Sequence, residues 1–125
     1  MIEKIKYEYD IKDKSLDFSL KLLKYLMSIE KQKIIQPIID QLVRSGTSVG
    51  ANIHEAQSSQ SNKELMRYYR IALKSGNESI YWFTLLESVV DTSDELIYLK
   101  NEMNTLRNIL GKVVIRLKEK ENNIK

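Results

Sequence analysis

Apolar residues recur every three or four positions along most of this 125-residue chain, and that spacing predicts helices. The expected helices span about residues 14–31, 36–57, 61–91 and 93–120. The last one has the most regular register, because its apolar residues alternate three and four positions apart. These residues are Leu96, Leu99, Met103, Leu106, Leu110, Val113 and Leu117. The pattern predicts an all-α fold, an up-and-down four-helix bundle made by a single domain of residues 1–125.

The first predicted helix differs from the others because it has two apolar faces. One face carries Leu16, Leu20, Leu23 and Met27, and the other carries Phe18, Leu22, Tyr25 and Ile29. An apolar face that stays in water gains nothing from the hydrophobic effect. Two such faces therefore predict two neighbours for this helix.

Local signals mark where the later helices begin. Pro37 is the only proline, and its fixed backbone and missing N–H suit the first turn of the second helix. Ser61 and Glu64 have the spacing of a capping box, which predicts the start of the third helix. Thr92 and Glu95 repeat that spacing before the fourth helix.

The N-terminal residues follow a different pattern. Ile5, Tyr7, Tyr9 and Ile11 alternate with charged or polar residues, which is the period of a strand. Nothing else in the chain offers a strand to pair with, so the alternation predicts an extended arm over residues 1–12. The arm either lies along the bundle with its apolar side down, or it pairs with another subunit or protein.

Gly46 and Gly50 lie one turn apart inside the second predicted helix, where each costs about 1 kcal/mol relative to alanine. No lysine follows them and no strand precedes them, which excludes a phosphate-binding loop. On a helix they share a face with Ile39, Val43 and Ile53. We therefore expect them to allow the close approach of a neighbouring helix, such as the one that carries Trp82 or Phe83.

A polar stripe lies on the other side of the same helix. It consists of Arg44, Ser48, Asn52 and Glu55. One interpretation is a solvated surface. The other is a contact with another chain, in which Arg44 meets a carboxylate such as that of Glu78. Asn52 favours a contact, because asparagine forms helices poorly and is placed in mid-helix mainly for a hydrogen bond.

A basic stripe runs along the third predicted helix, opposite its apolar face. It consists of Lys63, Arg67, Arg70 and Lys74, and Tyr81 follows it. No acidic residue of this helix lies within the stripe, which extends over about 16 Å. It is either a solvated face or a surface for the phosphate backbone of RNA or DNA, with Tyr81 placed to stack on a base.

Composition narrows the classes of function. The chain has no cysteine, a net charge of +3 and one histidine, His54, so we expect no catalytic residues, no metal site and no cofactor. The net charge permits nucleic-acid binding without requiring it. The charged N-terminus is unlike a signal peptide, and the apolar runs are too short to cross a membrane. We expect a cytoplasmic protein that is not an enzyme.

The run from Gln41 to Ser88 resembles the four-helix-bundle family of proteins encoded in intervening sequences of bacterial 23S rRNA genes. The resemblance rests on Gln41, Arg44, the small residues at 45–50, and Ala51, Asn52, Ile53 and Glu55. Residues 72–74 (Ala-Leu-Lys), 77–78 (Asn-Glu) and 81–82 (Tyr-Trp) are similar to a subgroup. His54 and Ala56 stand where a small residue and a glycine are common in the family.

The resemblance implies a bundle that assembles into a homopentamer. A related branch, the accessory proteins of diversity-generating retroelements, consists of basic pentamers that bind nucleic acid and a reverse transcriptase. We therefore expect a homo-oligomer that binds RNA or DNA through its basic stripe without base-specific readout, with a reverse transcriptase as a candidate protein partner. The alternative is a protein-interaction or scaffolding module that uses the polar stripe or the N-terminal arm and has no nucleic-acid role.

Overall fold

Four helices form the part of the chain that the computed structural model describes. The backbone is described for residues 2–30, 32–90 and 93–124. Side chains are described for residues 11–30, 32–90 and 93–122. The helices are α1 (Ile2–Ser28), α2 (Gln36–Gln57), α3 (Asn62–Val89) and α4 (Asp94–Ile124). Helix α1 packs on α2 and α4, and α3 packs on the same two helices. Consecutive helices are therefore neighbours, which confirms the all-α four-helix bundle.

The predicted inward faces of α3 and α4 form much of the core. On α3 the buried residues are Leu65, Met66, Tyr69, Ala72, Gly76, Ser79, Phe83 and Leu86. On α4 they are Leu96, Leu99, Met103, Leu106 and Leu110, and the more distal Val113 and Leu117 are partly buried. The apolar register of α4 therefore faces its neighbours along most of its length, as its three-and-four spacing predicts.

Only one of the two apolar faces of α1 is inside the bundle. Phe18, Leu22 and Tyr25 are buried in the core. The other face stays exposed along its whole length, and its residues are Leu16, Leu20, Leu23 and Met27. Helix α1 thus has two helical neighbours, α2 and α4, as its sequence predicts, but only one of its two apolar faces is buried.

Serine side chains cap the N-terminal ends of α3 and α4. Ser61 Oγ accepts from the Glu64 N–H at 3.1 Å, which confirms the predicted cap of α3. The Glu64 carboxylate accepts in return from the Gln60 N–H at 3.2 Å, one residue before the cap. At α4 the cap is Ser93, whose Oγ accepts from the Leu96 N–H at 3.1 Å. The cap predicted at Thr92 lies outside the described residues.

The N-terminal segment differs from the extended arm that its alternation predicts. The backbone of residues 2–12 is helical and forms the beginning of α1, and Met1 lies outside the described residues. A helix satisfies its backbone N–H and C=O groups within the segment, whereas a strand needs a partner strand. No strand forms among the described residues, so the alternation has no sheet to join.

Gly46 and Gly50 of α2 face α1, and not the helix that carries Trp82 and Phe83. A Cβ atom on Gly46 would lie 2.6 Å from Leu22 Cδ2. One on Gly50 would lie 3.4 Å from the Ser15 carbonyl oxygen and from two serine Oγ atoms. The prediction of close packing is therefore correct at Gly46, but the neighbouring helix is α1.

Candidate nucleic-acid interface

The basic stripe lies on the outer surface of α3. Lys63, Arg67, Arg70 and Lys74 are all exposed. The four cations are spaced four, three and four residues apart, so they follow one side of the helix for about 16 Å. This length covers several consecutive phosphates of a nucleic-acid strand. The helix therefore holds the four cations in a fixed row.

Aromatic rings accompany the basic stripe in its middle and beyond its C-terminal end. The Arg67 guanidinium lies 4.9 Å from the centroid of the Tyr68 ring, close enough for a cation–π contact. Beyond Lys74, Tyr81 is exposed and its ring meets Trp82 edge to face, with 5.0 Å between the centroids. An exposed tyrosine next to a row of cations is a suitable surface for stacking an unpaired base.

Tertiary packing adds one carboxylate beside the stripe that does not belong to α3. The basic residues at the beginning of α3 line a shallow cleft together with Glu64 and with Glu121 from α4. The Glu64 carboxylate is already an acceptor at the helix cap. Glu121 reduces the positive potential near Arg67 and Arg70, because opposite charges offset one another at short range. The amino-acid order of α3 alone could not have predicted this carboxylate.

The polar stripe of α2 divides into two parts in the structure. Arg44 is exposed and donates to Gln41 Oε1 on its own helix at 2.6 Å. Glu55 and Glu78 are both exposed on their helices. A contact of Arg44 with Glu78 of another chain stays a prediction.

The other two residues of the polar stripe face α3 of the same chain. Ser48 Oγ lies 3.0 Å from Ser75 Oγ across the α2–α3 interface. Asn52 Nδ2 donates to the Ser48 carbonyl at 2.8 Å and lies 3.0 Å from its hydroxyl. Asn52 is thus placed in mid-helix for hydrogen bonds, as predicted, but the contact is intramolecular.

A buried serine pair continues this polar interface. Ser79 Oγ lies 2.8 Å from Ser45 Oγ and 2.8 Å from the Ser75 carbonyl oxygen. Both serines of the pair are almost fully buried. Ser79 lies on the buried face of α3, and its pairing with Ser45 was not predicted. The sequence offered one signal for this pair, because each of two consecutive helices carries a serine on its apolar face. A buried hydroxyl requires a hydrogen-bond partner.

We expect Ser79→Ala to lower the free energy of unfolding by about 1–2 kcal/mol, because it leaves the buried Ser45 hydroxyl without its partner. Ser45→Ala should cost less, because the Ser79 hydroxyl keeps the Ser75 carbonyl oxygen as an acceptor. The double variant should lose less free energy of unfolding than the two single variants lose together, because it removes both hydroxyls at once. Urea unfolding of the four proteins measures this coupling, and strictly additive losses would contradict the pairing.

Two further features bear on the kind of protein this is. Within the described ranges, no helix is both long and apolar enough to cross a membrane. The same part of the chain holds no cluster of three or more histidine, aspartate or glutamate side chains arranged to bind a metal ion.

The fold and the row of cations define an all-helical bundle with a basic face on α3. The family described as 23S rRNA-intervening sequence protein matches residues 7–112, so the chain belongs to this family. Among solved structures it is similar to a protein with unknown function from the S23 ribosomal protein family of Bacteroides thetaiotaomicron VPI-5482. The two are 29% identical with a TM-score of 0.73, over 86% of this chain and 97% of the other. No curated protein matches the chain.

Proposed function

We propose that this protein is a non-enzymatic homo-oligomer that binds RNA or DNA through the basic stripe of α3. The observation that carries the proposal is the row formed by Lys63, Arg67, Arg70 and Lys74 on the outer surface of one rigid helix. Cations held at this spacing neutralise phosphates and release their counterions, which supplies binding free energy independent of base sequence. Binding is therefore expected to be weak, dependent on salt and without base readout.

Oligomerisation strengthens this surface, because each added copy repeats the stripe. The family resemblance predicts five copies, and a reverse transcriptase is a candidate protein partner on the same ground. Several stripes on one particle raise the local positive potential and allow one nucleic acid to engage more than one subunit. A single stripe, partly offset by Glu121, binds more weakly.

The test is fluorescence anisotropy of the protein with a labelled structured RNA and with a mixed DNA duplex, at several salt concentrations. We expect Kd values in the micromolar range or below at low salt. The double variant Arg67→Glu with Arg70→Glu should bind about a hundredfold more weakly and show a salt slope lower by about 2, because it loses two phosphate contacts.

A matched control places the same change in net charge elsewhere. Lys14→Glu with Lys33→Glu alters two exposed lysines of α1 and the α1–α2 connection, and it should retain most of the binding. Equal losses in both double variants would show that only net charge matters, which contradicts a specific stripe. Absence of binding by the unmodified protein at low salt would favour the protein-interaction alternative.

A further inference from the structure

One carboxylate from α4 stands among the cations of the basic stripe. Glu121 lines the same shallow cleft as Lys63, Arg67 and Arg70 of α3. A surface that only attracts phosphates gains nothing from this residue, because a carboxylate repels them. The position of Glu121 therefore indicates a ligand that donates a hydrogen bond close to its own phosphates.

The Glu121 carboxylate is available to such a donor. Glu121 is exposed, and within the described part of the chain no ion pair joins it to Arg67 or Arg70. The other carboxylate of the cleft, that of Glu64, already accepts from the Gln60 N–H at 3.2 Å. The two arginines thus keep their N–H groups for phosphates, and Glu121 keeps its oxygens as acceptors.

The backbone of RNA carries a suitable donor beside its phosphates. Each ribose of an RNA strand has a 2′-hydroxyl and lies between two consecutive phosphates, whereas the sugar of DNA lacks this hydroxyl. The N–H groups of the bases lie farther from the backbone. A carboxylate that lies among phosphate-binding cations therefore comes closest to the sugar hydroxyl.

The rest of the cleft suits a sugar with its flanking phosphates. Met66 and Ile71 add apolar surface to the lining, and Ile71 has 38% of its surface exposed. The C–H groups of a sugar pack on such a surface. The cleft has a volume of about 580 Å³, which lies within the range of clefts that hold small ligands. One nucleotide unit of a strand therefore fits beside Glu121.

We propose that Glu121 selects RNA over DNA by accepting a hydrogen bond from a ribose 2′-hydroxyl, while Arg67 and Arg70 bind the flanking phosphates. This inference rests on the function proposed above and names the class of nucleic acid. RNA and DNA meet the same repulsion between Glu121 and a phosphate. Only RNA offsets that repulsion with a charge-assisted hydrogen bond, so DNA leaves the carboxylate unpaired. The selection acts on the sugar and requires no base readout.

The first test is fluorescence anisotropy of the full chain with labelled single strands of one sequence. The strands are RNA, DNA, and RNA in which fluorine replaces every 2′-hydroxyl. We expect RNA to bind about tenfold more tightly than DNA, the effect of one hydrogen bond to a charged group. The fluorinated strand keeps the sugar conformation of RNA but has no 2′ donor, so it should bind like DNA. This strand separates the hydroxyl from the shape of the backbone.

The second test removes the acceptor. Glu121→Ala should strengthen DNA binding without strengthening RNA binding, so the ratio of the two affinities should fall from about ten to about one. Circular dichroism should show unchanged folding, because Glu121 is exposed. The matched control is Glu119→Ala, which makes the same change in net charge at an exposed position of α4 outside the cleft. It should keep the preference for RNA.

Three results would overturn the inference and leave the proposed function standing. They are equal binding of RNA and DNA by the unmodified protein, RNA-like binding of the fluorinated strand, and equal gains for RNA and DNA in Glu121→Ala. The last result would show that Glu121 only repels phosphates. Absence of binding to all of the strands at low salt would overturn the proposed function and this inference together.

Discussion

Gly46→Leu is expected to destabilise the bundle by about 3 kcal/mol or more, which is enough to unfold a domain of this size or to force α1 away from α2. Even the first added carbon would lie 2.6 Å from Leu22 Cδ2, below any ordinary contact distance. Leu22 is fully buried, so its side chain has little room to move aside. Thermal and urea unfolding, followed by circular dichroism, measure the loss.

A matched control for this variant is available on α4. Gly111 has no neighbouring atom within 4 Å of an added Cβ, so Gly111→Leu should leave stability unchanged or raise it slightly. The smaller Gly46→Ala should be rescued in part by Leu22→Ala, because that change removes the clashing atom. A Gly46→Leu protein as stable as the unmodified chain would show that α1 and α2 are farther apart than described.

Phe83→Ala is expected to lower the free energy of unfolding by about 3–5 kcal/mol, because it opens a cavity where the ring now packs. Phe83 is fully buried, and its ring meets Phe18 of α1 edge to face with 6.3 Å between centroids. The loss therefore includes the aromatic contact across the core as well as the buried area. Denaturant midpoints at constant m-value give the size of the effect.

Tyr81 is the control for this second variant, because it belongs to the same aromatic run of α3 but lies outside the core. It has 58% of its surface exposed, so Tyr81→Ala should change stability by less than about 1 kcal/mol. The same variant reports on the basic stripe, since loss of a stacking ring should weaken binding to single-stranded RNA. Equal destabilisation by both alanine variants would contradict the described orientation of α3.

Two distinct surfaces lie on different helices of the bundle. The basic stripe lies on α3, and the exposed apolar residues Leu16, Leu20, Leu23 and Met27 lie on α1. Helices α1 and α3 occupy opposite corners of the bundle, since each packs on α2 and α4. The exposed apolar residues of α1 and the cations of α3 therefore form separate surfaces.

Much of the fold was predictable from local patterns, and the exceptions have identifiable causes. The three-and-four spacing of α4 correctly predicts its buried residues, and Ser61 correctly predicts a cap. The alternation at the N-terminus predicts an extended arm, but residues 2–12 have no strand to pair with and are helical. An apolar pattern shorter than two helical turns does not distinguish the period of a helix from that of a strand. Backbone hydrogen bonding then determines which of the two structures forms.

The sequence by itself determined which residues share a face of each helix, including Gly46, Gly50 and the four cations of the basic stripe. It could do so because a helical period depends only on the local backbone. Only the tertiary structure decided that the glycines meet α1, that Ser79 pairs with Ser45, and that Glu121 lies beside the stripe. These outcomes join residues far apart in the chain, and they depend on how four helices fill one core together. The same packing determined which apolar face of α1 is buried, and it left Leu16, Leu20, Leu23 and Met27 exposed.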